Sequence, residues 1–414
     1  LALLLLLDGW PLRRAGNHWP ELKVRLPALL VEKTPLLVLS AAFSILALGT
    51  QSWTGAVAES ELGHGQILRV AENYLFYLGK IFWPADLNVL YPITPLVPFR
   101  AVAALAALVA ISLVSLRWSR LRPWFTVGWF WFAVSLLPVI GVVPIGSTWV
   151  ADRYTYLPSI GIGLLVAWGA NALLPLTLQG RVSAAVGAAL IVAGCGWVTL
   201  KNIPRWKDSS TLFSDSISKG AHPGAYQNLG IALAERGDYE TAIAHYTRAL
   251  ELEPRAAEAC YNRGLAFQAR GDAERALADY SQAIELRPAY AEAHNNRGNL
   301  HAARGEFEAA IRDFTQAIAL RPDYTEALAN RGRARQEVGK YSEAVEDYSR
   351  AIATRPDFAS AYHDRAVVFY HLKDYERAWS DLRTCRQLGL TPNPELVRRL
   401  EADSGSRWNE ATEH

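Results

Sequence analysis

The 414-residue chain contains no methionine and only three cysteines, Cys195, Cys260 and Cys385. No two cysteines form a CxxC pair, and the nine histidines include no HExxH, so neither a disulfide framework nor a zinc site is expected. Net charge is nearly absent too: 42 Lys+Arg oppose 40 Asp+Glu. A balance of +2 leaves no electrostatic footprint for a nucleic-acid partner. The charge that is present is unevenly placed. Residues 1–200 carry 13 basic and 8 acidic side chains, whereas residues 201–414 carry 29 and 32. A charge-poor half rich in Leu, Val, Ala and Trp therefore precedes a charge-dense one. That asymmetry predicts a membrane half and a soluble half, in a chain long enough for more than one domain.

The second half is governed by a 34-residue step. Pro254, Pro288, Pro322 and Pro356 keep it, as do Ala242, Ala276, Ala310, Ala344 and Ala378. Gly230, Gly264, Gly298 and Gly332 keep it with Ala366 in fifth place, and so do Tyr246, Tyr280, Phe314 and Tyr348 with Leu382. Small residues at this spacing suit closely crossing helices, the aromatic fills the gap between them, and Pro ends a helix because it lacks the N–H. The pattern resembles the tetratricopeptide repeat (TPR), in which each unit is a pair of antiparallel helices and the units stack into a superhelix. Five units are predicted over residues 223–390. Residues 201–222 are expected to connect the halves through a capping helix, with Trp206, Leu212, Phe213 and Ile217 on one apolar face. Within 391–414, a polar capping helix Pro394–Ala402 and a disordered tail Asp403–His414 are expected.

Residues 1–200 read as transmembrane. Leu1–Leu7 resembles the end of a truncated spanning helix, so the N-terminal part of this region is expected to be missing. Spans are predicted at Pro35–Gly49, Ala101–Leu116, Trp124–Val143, Ser159–Leu173 and Ala184–Leu200. Ile67–Trp83 is amphipathic and suits a helix lying in the membrane interface. The basic loop Asp8–Lys33 and the cluster Arg117, Arg120 and Arg122 predict a cytoplasmic side. Gln51–Pro98, Pro144–Pro158 and the repeats then fall on the outer side. Lys201, Arg205 and Lys207 run against the charge rule there, but long domains cross regardless of such charge. The expected fold is all-α: a polytopic transmembrane helix bundle followed by a five-repeat superhelix.

Four constellations are candidates for function. Asn228, Asn262, Asn296 and Asn330 fall 34 apart, with Asp364 in the fifth slot, on the first helix of each unit. First helices line the concave groove of such arrays, and an amide both donates and accepts, so the column suits the backbone of an extended peptide. It resembles the superhelix of O-GlcNAc transferases, in which an asparagine ladder at this repeat position holds the acceptor polypeptide. The alternative is that these side chains bond only to neighbouring backbone or to the next repeat. Second, Arg263, Arg297, Arg331 and Arg365 are each followed 16 residues later by Asp279, Asp313, Asp347 and Asp381. The first unit has Leu229 and His245 in these slots, so both charges are absent together, which points to one structural Arg–Asp bridge per repeat. Third, the outward loop 148–159 carries Asp152, Arg153, Tyr154 and Tyr156. Arg153 suits a phosphate, and the tyrosines suit a sugar or the membrane interface; an Asp152–Arg153 pair with an aromatic belt is the competing reading. Fourth, Lys80, on the same predicted side, is either a second phosphate ligand or a snorkelling lysine.

The order of features resembles a family of multi-pass membrane proteins with C-terminal repeats, including bacterial members and the transmembrane-and-TPR O-mannosyltransferases of the animal endoplasmic reticulum. The segments that carry the resemblance are 31–35, Tyr77–Pro92, 127–132 with 136–141, and above all the run Ala151-Asp-Arg-Tyr-Thr-Tyr-Leu-Pro-Ser-Ile-Gly161. This resemblance implies the GT-C class of glycosyltransferase. Such an enzyme moves a sugar from a polyprenyl-phosphate carrier, used as substrate with no further cofactor, to a polypeptide hydroxyl at the outer face. A carboxylate activates the acceptor and cations hold the leaving phosphate. The family places its acidic residues in a first outward loop, upstream of Leu1 here, so no catalytic base is carried over and this chain alone is expected to be inactive. Arg153 and Lys80 match positions suited to the carrier phosphate. The implied setting is multi-pass in a bacterial inner membrane with the repeats on the periplasmic side. The partners are the bilayer, the carrier-linked sugar and a polypeptide in the groove. A non-catalytic scaffold that recruits protein partners, or assists envelope assembly, is the alternative.

Overall fold

The computed structural model describes residues 27–28, 64–82, 87–91, 96–137, 140, 155–173 and 177–405. Among these, all regular structure is helical. Leu1–Leu7, the predicted span Pro35–Gly49, most of the loop Asp8–Lys33, and Asp152, Arg153 and Tyr154 lie outside the described residues. The chain divides into two compact units, Leu1–Leu229 and Gly230–His414.

In the first unit, helix α1 (His64–Phe82) places Ala71, Tyr74 and Tyr77 three residues apart on one buried face. Helix α2 (Pro98–Arg117) begins with a Pro at its first turn, where the missing N–H costs nothing. Helices α3 (Pro123–Leu136) and α4 (Tyr156–Leu173) follow. Tyr74 and Tyr77 pack with Trp129, Phe132, Leu136, Ile140 and Ile162 into one core. Asn73 Nδ2 donates to the Ile140 carbonyl at 3.1 Å, and Tyr74 OH donates to that of Ala133 at 2.6 Å. The segment expected to lie in the membrane interface is thus a core-building helix of this unit. The glycines Gly128 and Gly161 let α3 and α4 cross closely: a Cβ on Gly161 would stand 2.5 Å from the Gly128 carbonyl oxygen.

Helix α5 (Leu178–Asn202) leads through a single 3₁₀ turn (Ile203–Trp206) to α6 (Ser209–Lys219). Among the described residues two helical stretches, Pro98–Arg117 and Ala185–Trp206, are long and apolar enough to cross a membrane. Helix α3 is shorter than the span Trp124–Val143 expected there. Helix α3 has 14 residues, about 21 Å at the helical rise, against a hydrocarbon core of about 30 Å. Pro138 follows it in sequence and cannot continue the hydrogen-bond ladder. Helix α4 contains the whole of the expected span Ser159–Leu173, and its apolar part is Tyr156–Ala170. Trp206 does not join the face expected of the connecting helix. It sits in the 3₁₀ turn and is 61% exposed, while Leu212, Phe213 and Ile217 on α6 are half-buried.

Helix α7 (Pro223–Ala234) spans the division between the units. The second unit continues with α8 (Tyr239–Leu252), then the pairs α9 (Ala257–Ala269) and α10 (Ala273–Leu286), α11 (Ala291–Ala303) and α12 (Phe307–Leu320), α13 (Thr325–Glu337) and α14 (Tyr341–Thr354), and α15 (Ala359–His371) and α16 (Tyr375–Gln387). The small and aromatic columns meet inside each pair. A Cβ on Gly230, Gly264, Gly298 or Gly332 would stand 2.6, 2.8, 2.8 or 3.0 Å from the ring of Tyr246, Tyr280, Phe314 or Tyr348. In the fifth pair Ala366 replaces Gly and Leu382 replaces the ring, and both are fully buried. The two changes compensate, since the shorter side chain leaves room for the extra methyl.

The turn within each pair follows one backbone rule. Gly237, Gly271, Gly305 and Gly339 have φ between +75° and +82°, and Lys373 takes the fifth slot at φ +62°. Lysine has a Cβ and is strained in this region. Lys373→Gly is therefore expected to stabilise the array by about 0.5–1 kcal/mol, read as a higher urea midpoint for loss of helicity. A lower midpoint would show that the lysine side chain contributes more than its backbone strain costs.

Helix α17 (Pro394–Ser404) closes the array, burying Leu396 and Leu400 against Trp379 and Leu382. It runs past the expected end at Ala402. Tyr370 OH donates to Asp403 at 2.7 Å and Trp379 Nε1 donates to Ser404 Oγ at 3.3 Å, which holds its last turn on the fifth repeat. Residues 406–414 lie outside the described residues.

Candidate functional site

The asparagine column sits on the first helix of successive pairs, and the structure divides it. Asn262 on α9 is half-buried, and its amide is not engaged by other described residues. The later members are bonded to the preceding repeat. Asn296 Nδ2 donates to Tyr261 OH at 3.0 Å, and Asn330 Nδ2 donates to Asn295 Oδ1 at 3.2 Å. Asn295 Nδ2 in turn donates to Asn296 Oδ1 at 3.2 Å. Tyr261, Asn296, Asn295 and Asn330 thus form a head-to-tail chain of hydrogen bonds across three repeats. Burial pushes the Tyr261 hydroxyl up to about 12, so it stays neutral and keeps its own proton to donate. Asp364 accepts from Arg333 at 2.9 Å and lies 3.3 Å from His363 Nδ1. Burial alone would raise its carboxyl, but His363 and Arg333 outweigh burial and hold it below the usual carboxylate range. Asn228, on α7 in the other unit, is half-buried. A depression of about 420 Å³ beside Asn330 is lined by Asn299, Ala302, Phe307, Arg333 and Glu337. It offers an apolar floor with amide and charged edges.

The Arg–Asp column is a set of two-pronged bridges between the helices of each pair. Arg263 donates to both oxygens of Asp279 at 2.8 and 2.7 Å, Arg297 to Asp313 at 2.9 and 2.7 Å, Arg331 to Asp347 at 2.9 and 2.7 Å, and Arg365 to Asp381 at 2.7 and 2.8 Å. Each guanidinium has a third partner on the preceding repeat: Thr247, Ser281, Thr315 and Ser349, at 3.2, 3.2, 3.1 and 2.9 Å. The arginine therefore stitches helix to helix and repeat to repeat. These four hydroxyls also keep the 34-residue step, so the signal was visible in the sequence; only folding shows what it serves. One step earlier in the 34-residue register the three slots hold Phe213, Leu229 and His245. In the third repeat, His294 and His301 also approach Asp313, at 3.5 and 3.9 Å. Burial is the largest influence on that carboxyl and acts upwards, yet the contacts from His294 and Arg297 keep it low.

In the first unit, Lys80 lies over the rings of Phe76 and Tyr91, 5.5 and 5.6 Å from their centroids. Tyr156 opens α4 and is 77% exposed. Arg153, Asp152 and Tyr154 lie outside the described residues, so no distance relates them to Lys80 or Tyr156.

Comparison with known proteins first defines the class of the second half. The TPR repeat family matches residues 230–271, 266–303 and 332–373, and the tetratricopeptide repeat family matches 291–324. Residues 230–373 carry tetratricopeptide repeats. Particular relatives follow. The chain is 32% identical over 130 residues to the protein O-mannosyl-transferase Tmtc2 of Drosophila melanogaster, covering 31% of this chain and 13% of that protein. It is 31% identical over 115 residues to the protein O-mannosyl-transferase TMTC1 of Homo sapiens, covering 27% and 13%. The chain thus spans a small fraction of the length of the curated relatives it matches. Among solved structures it is similar to MamA, with 24% identity, a TM-score of 0.38, and coverage of 39% of this chain and 94% of that one. It is also similar to YrrB, described as a TPR protein with an unusual peptide-binding site, with 21% identity, a TM-score of 0.42, and coverage of 47% and 99%.

Proposed function

We propose that this chain belongs to a protein glycosyltransferase of the membrane, in which the repeats hold an acceptor polypeptide near a sugar carried on a polyprenyl phosphate. The observation that carries this reading is the similarity to protein O-mannosyl-transferases in a chain that joins apolar helices to tetratricopeptide repeats. In it, α2 and α5 are two of several spans in a bacterial inner membrane, and the repeats face the periplasm. Arg153 and Lys80 hold the carrier phosphate, and Asp152, Tyr154 and Tyr156 line the donor sugar or the interface. Chemistry of this kind needs a carboxylate that takes the acceptor proton and cations that stabilise the departing phosphate. Arg153→Ala is expected to abolish sugar transfer by the full-length protein at unchanged membrane level; retained transfer removes Arg153 from the site. Sidedness is tested with a single Cys at Ser404 in a variant lacking Cys195, Cys260 and Cys385. Labelling by an impermeant maleimide from the periplasm supports the reading, and protection until lysis sinks it.

Within the groove, the division of the asparagine column supports an unequal grip. Asn262 has a free amide for a peptide backbone, whereas Asn330 is committed to Asn295. Binding of reduced, carboxymethylated α-lactalbumin, a permanently unfolded polypeptide, is expected to weaken roughly fivefold in Asn262→Ala, about one hydrogen bond's worth, with the unfolding midpoint unchanged. Asn330→Ala is expected to lower the midpoint instead, by about 1 kcal/mol. Unchanged binding in Asn262→Ala leaves the column a structural seam. The seam itself favours a second reading, a membrane-anchored scaffold whose repeats recruit a protein partner without transferring a sugar.

A further inference from the structure

The outer end of α5 carries a charge pattern that the proposed function does not use. From Ala185 to Trp206 this stretch is apolar and none of its most apolar window is buried in the protein. The end of α5 and the 3₁₀ turn after it then present Lys201, Arg205 and Lys207 within seven residues. Arg205 is neutralised, donating to Asn202 Oδ1 at 2.8 Å and lying 3.3 Å from Asp215. Asp215 also pairs with Lys219 at 2.5 Å, and Asp208 caps α6 by accepting from the Thr211 N–H at 2.8 Å. The nearby acids are therefore engaged elsewhere. Lys201 and Lys207 remain exposed, with no acidic partner among the described residues. Lys207 lines an open groove of about 720 Å³, together with Leu87, Tyr156, Val198, Ile203 and Trp206. Its walls are mostly apolar, its one lining cation is Lys207, and its two large aromatics are mostly exposed.

We infer that this groove binds an anionic diacyl phospholipid of the bilayer, distinct from the sugar carrier. One acyl chain lies along Val198 and Ile203, and the phosphate sits between Lys201 and Lys207. Three features argue for this occupant. The unburied apolar helix requires a hydrocarbon surrounding that continues to the groove. Trp and Tyr at its mouth suit the depth where headgroups begin. Two uncompensated lysines on the side where the charge rule disfavours cations call for a fixed counter-charge, which an anionic headgroup supplies. The inference rests on the membrane reading above, because a lipid is available only if α5 lies in a bilayer.

The test uses the full chain in phosphatidylcholine vesicles containing equal fractions of brominated phosphatidylglycerol or brominated phosphatidylcholine. The signal from the groove is the bromine quenching of tryptophan fluorescence that is lost in Trp206→Phe. Quenching by the brominated phosphatidylglycerol is expected to exceed that by the brominated phosphatidylcholine. The apparent affinity for phosphatidylglycerol is expected to fall about fivefold in Lys207→Gln and again in Lys201→Gln, as for one surface lysine each. Equal quenching by both lipids in a protein that resists alkaline carbonate extraction overturns the inference and leaves the membrane reading standing. Unchanged affinity in both lysine variants overturns it as well. So does displacement of brominated phosphatidylglycerol by equimolar geranylgeranyl phosphate, which would assign the groove to the carrier. Extraction of the protein by carbonate, with no quenching by either lipid, removes the membrane reading and the inference together.

Discussion

Asp347→Ala is expected to destabilise the repeat array by roughly 3–5 kcal/mol, the cost of removing one partner of a buried ion pair. Asp347 is 1% exposed at its side chain and Arg331 9%. The carboxylate also accepts from Arg335 at 2.7 Å, but Arg335 keeps Glu343 at 3.1 Å, so the substitution strands the Arg331 guanidinium in a water-poor interface. The Arg331 charge would reach solvent only by opening the junction of the third and fourth repeats, where Arg331 also holds Thr315. Replacing both partners by apolar residues, as in Arg331→Met with Asp347→Leu, is expected to cost far less, because Arg331 leaves with its partner and Arg335 retains Glu343. The same aspartate substitution in the second repeat should cost less than in the fourth, since Arg263 is 23% exposed at its side chain and can rehydrate. The measurement is the urea midpoint for loss of helicity in each variant. A loss below about 1 kcal/mol for Asp347→Ala would show that the pair is effectively solvated and behaves like a surface bridge.

Gly298→Val is expected to cost about 1–3 kcal/mol by overpacking. The first added carbon already stands 2.8 Å from the Phe314 ring, closer than side-chain carbons approach, and a β-branched side chain adds two more methyls. The ring is 1% exposed, so it is closely held where it stands. The fifth repeat shows the compensation that should work. Gly298→Ala with Phe314→Leu reproduces Ala366 with Leu382, and the pair should be more stable than the sum of its single changes by about 0.5–3 kcal/mol, as for contacting residues. Strict additivity would mean that the helices separate to admit the methyl, and that the small column does not set their crossing distance.

Repeats resist unequal loss in a way single domains do not. Each pair contacts chiefly its neighbours, so a defect at Asp347 or Gly298 is expected to fray the array locally rather than unfold it as a whole. The same one-dimensional order explains why the sequence was so readable here. A feature required by one junction recurs at every junction, and the eye finds the step.

The sequence by itself determined the period, the helix pairs, the Gly–aromatic contacts and the Arg–Asp bridges, because each depends on residues at a fixed offset within one repeating unit. It also marked where membrane-like composition ends. The tertiary structure alone decided what depends on the relation between units of that period. It gave each arginine its Ser or Thr on the preceding repeat, and it turned Asn296 and Asn330 toward Tyr261 and Asn295 while leaving Asn262 free. It placed Trp206 in a 3₁₀ turn rather than on the connecting helix. It ended α3 at Leu136, and drew the amphipathic α1 into a core through Tyr74 and Tyr77 rather than along a surface. In each case hydropathy states only that a side chain avoids water. Which apolar or polar neighbour satisfies it is settled by the packing of elements distant in sequence.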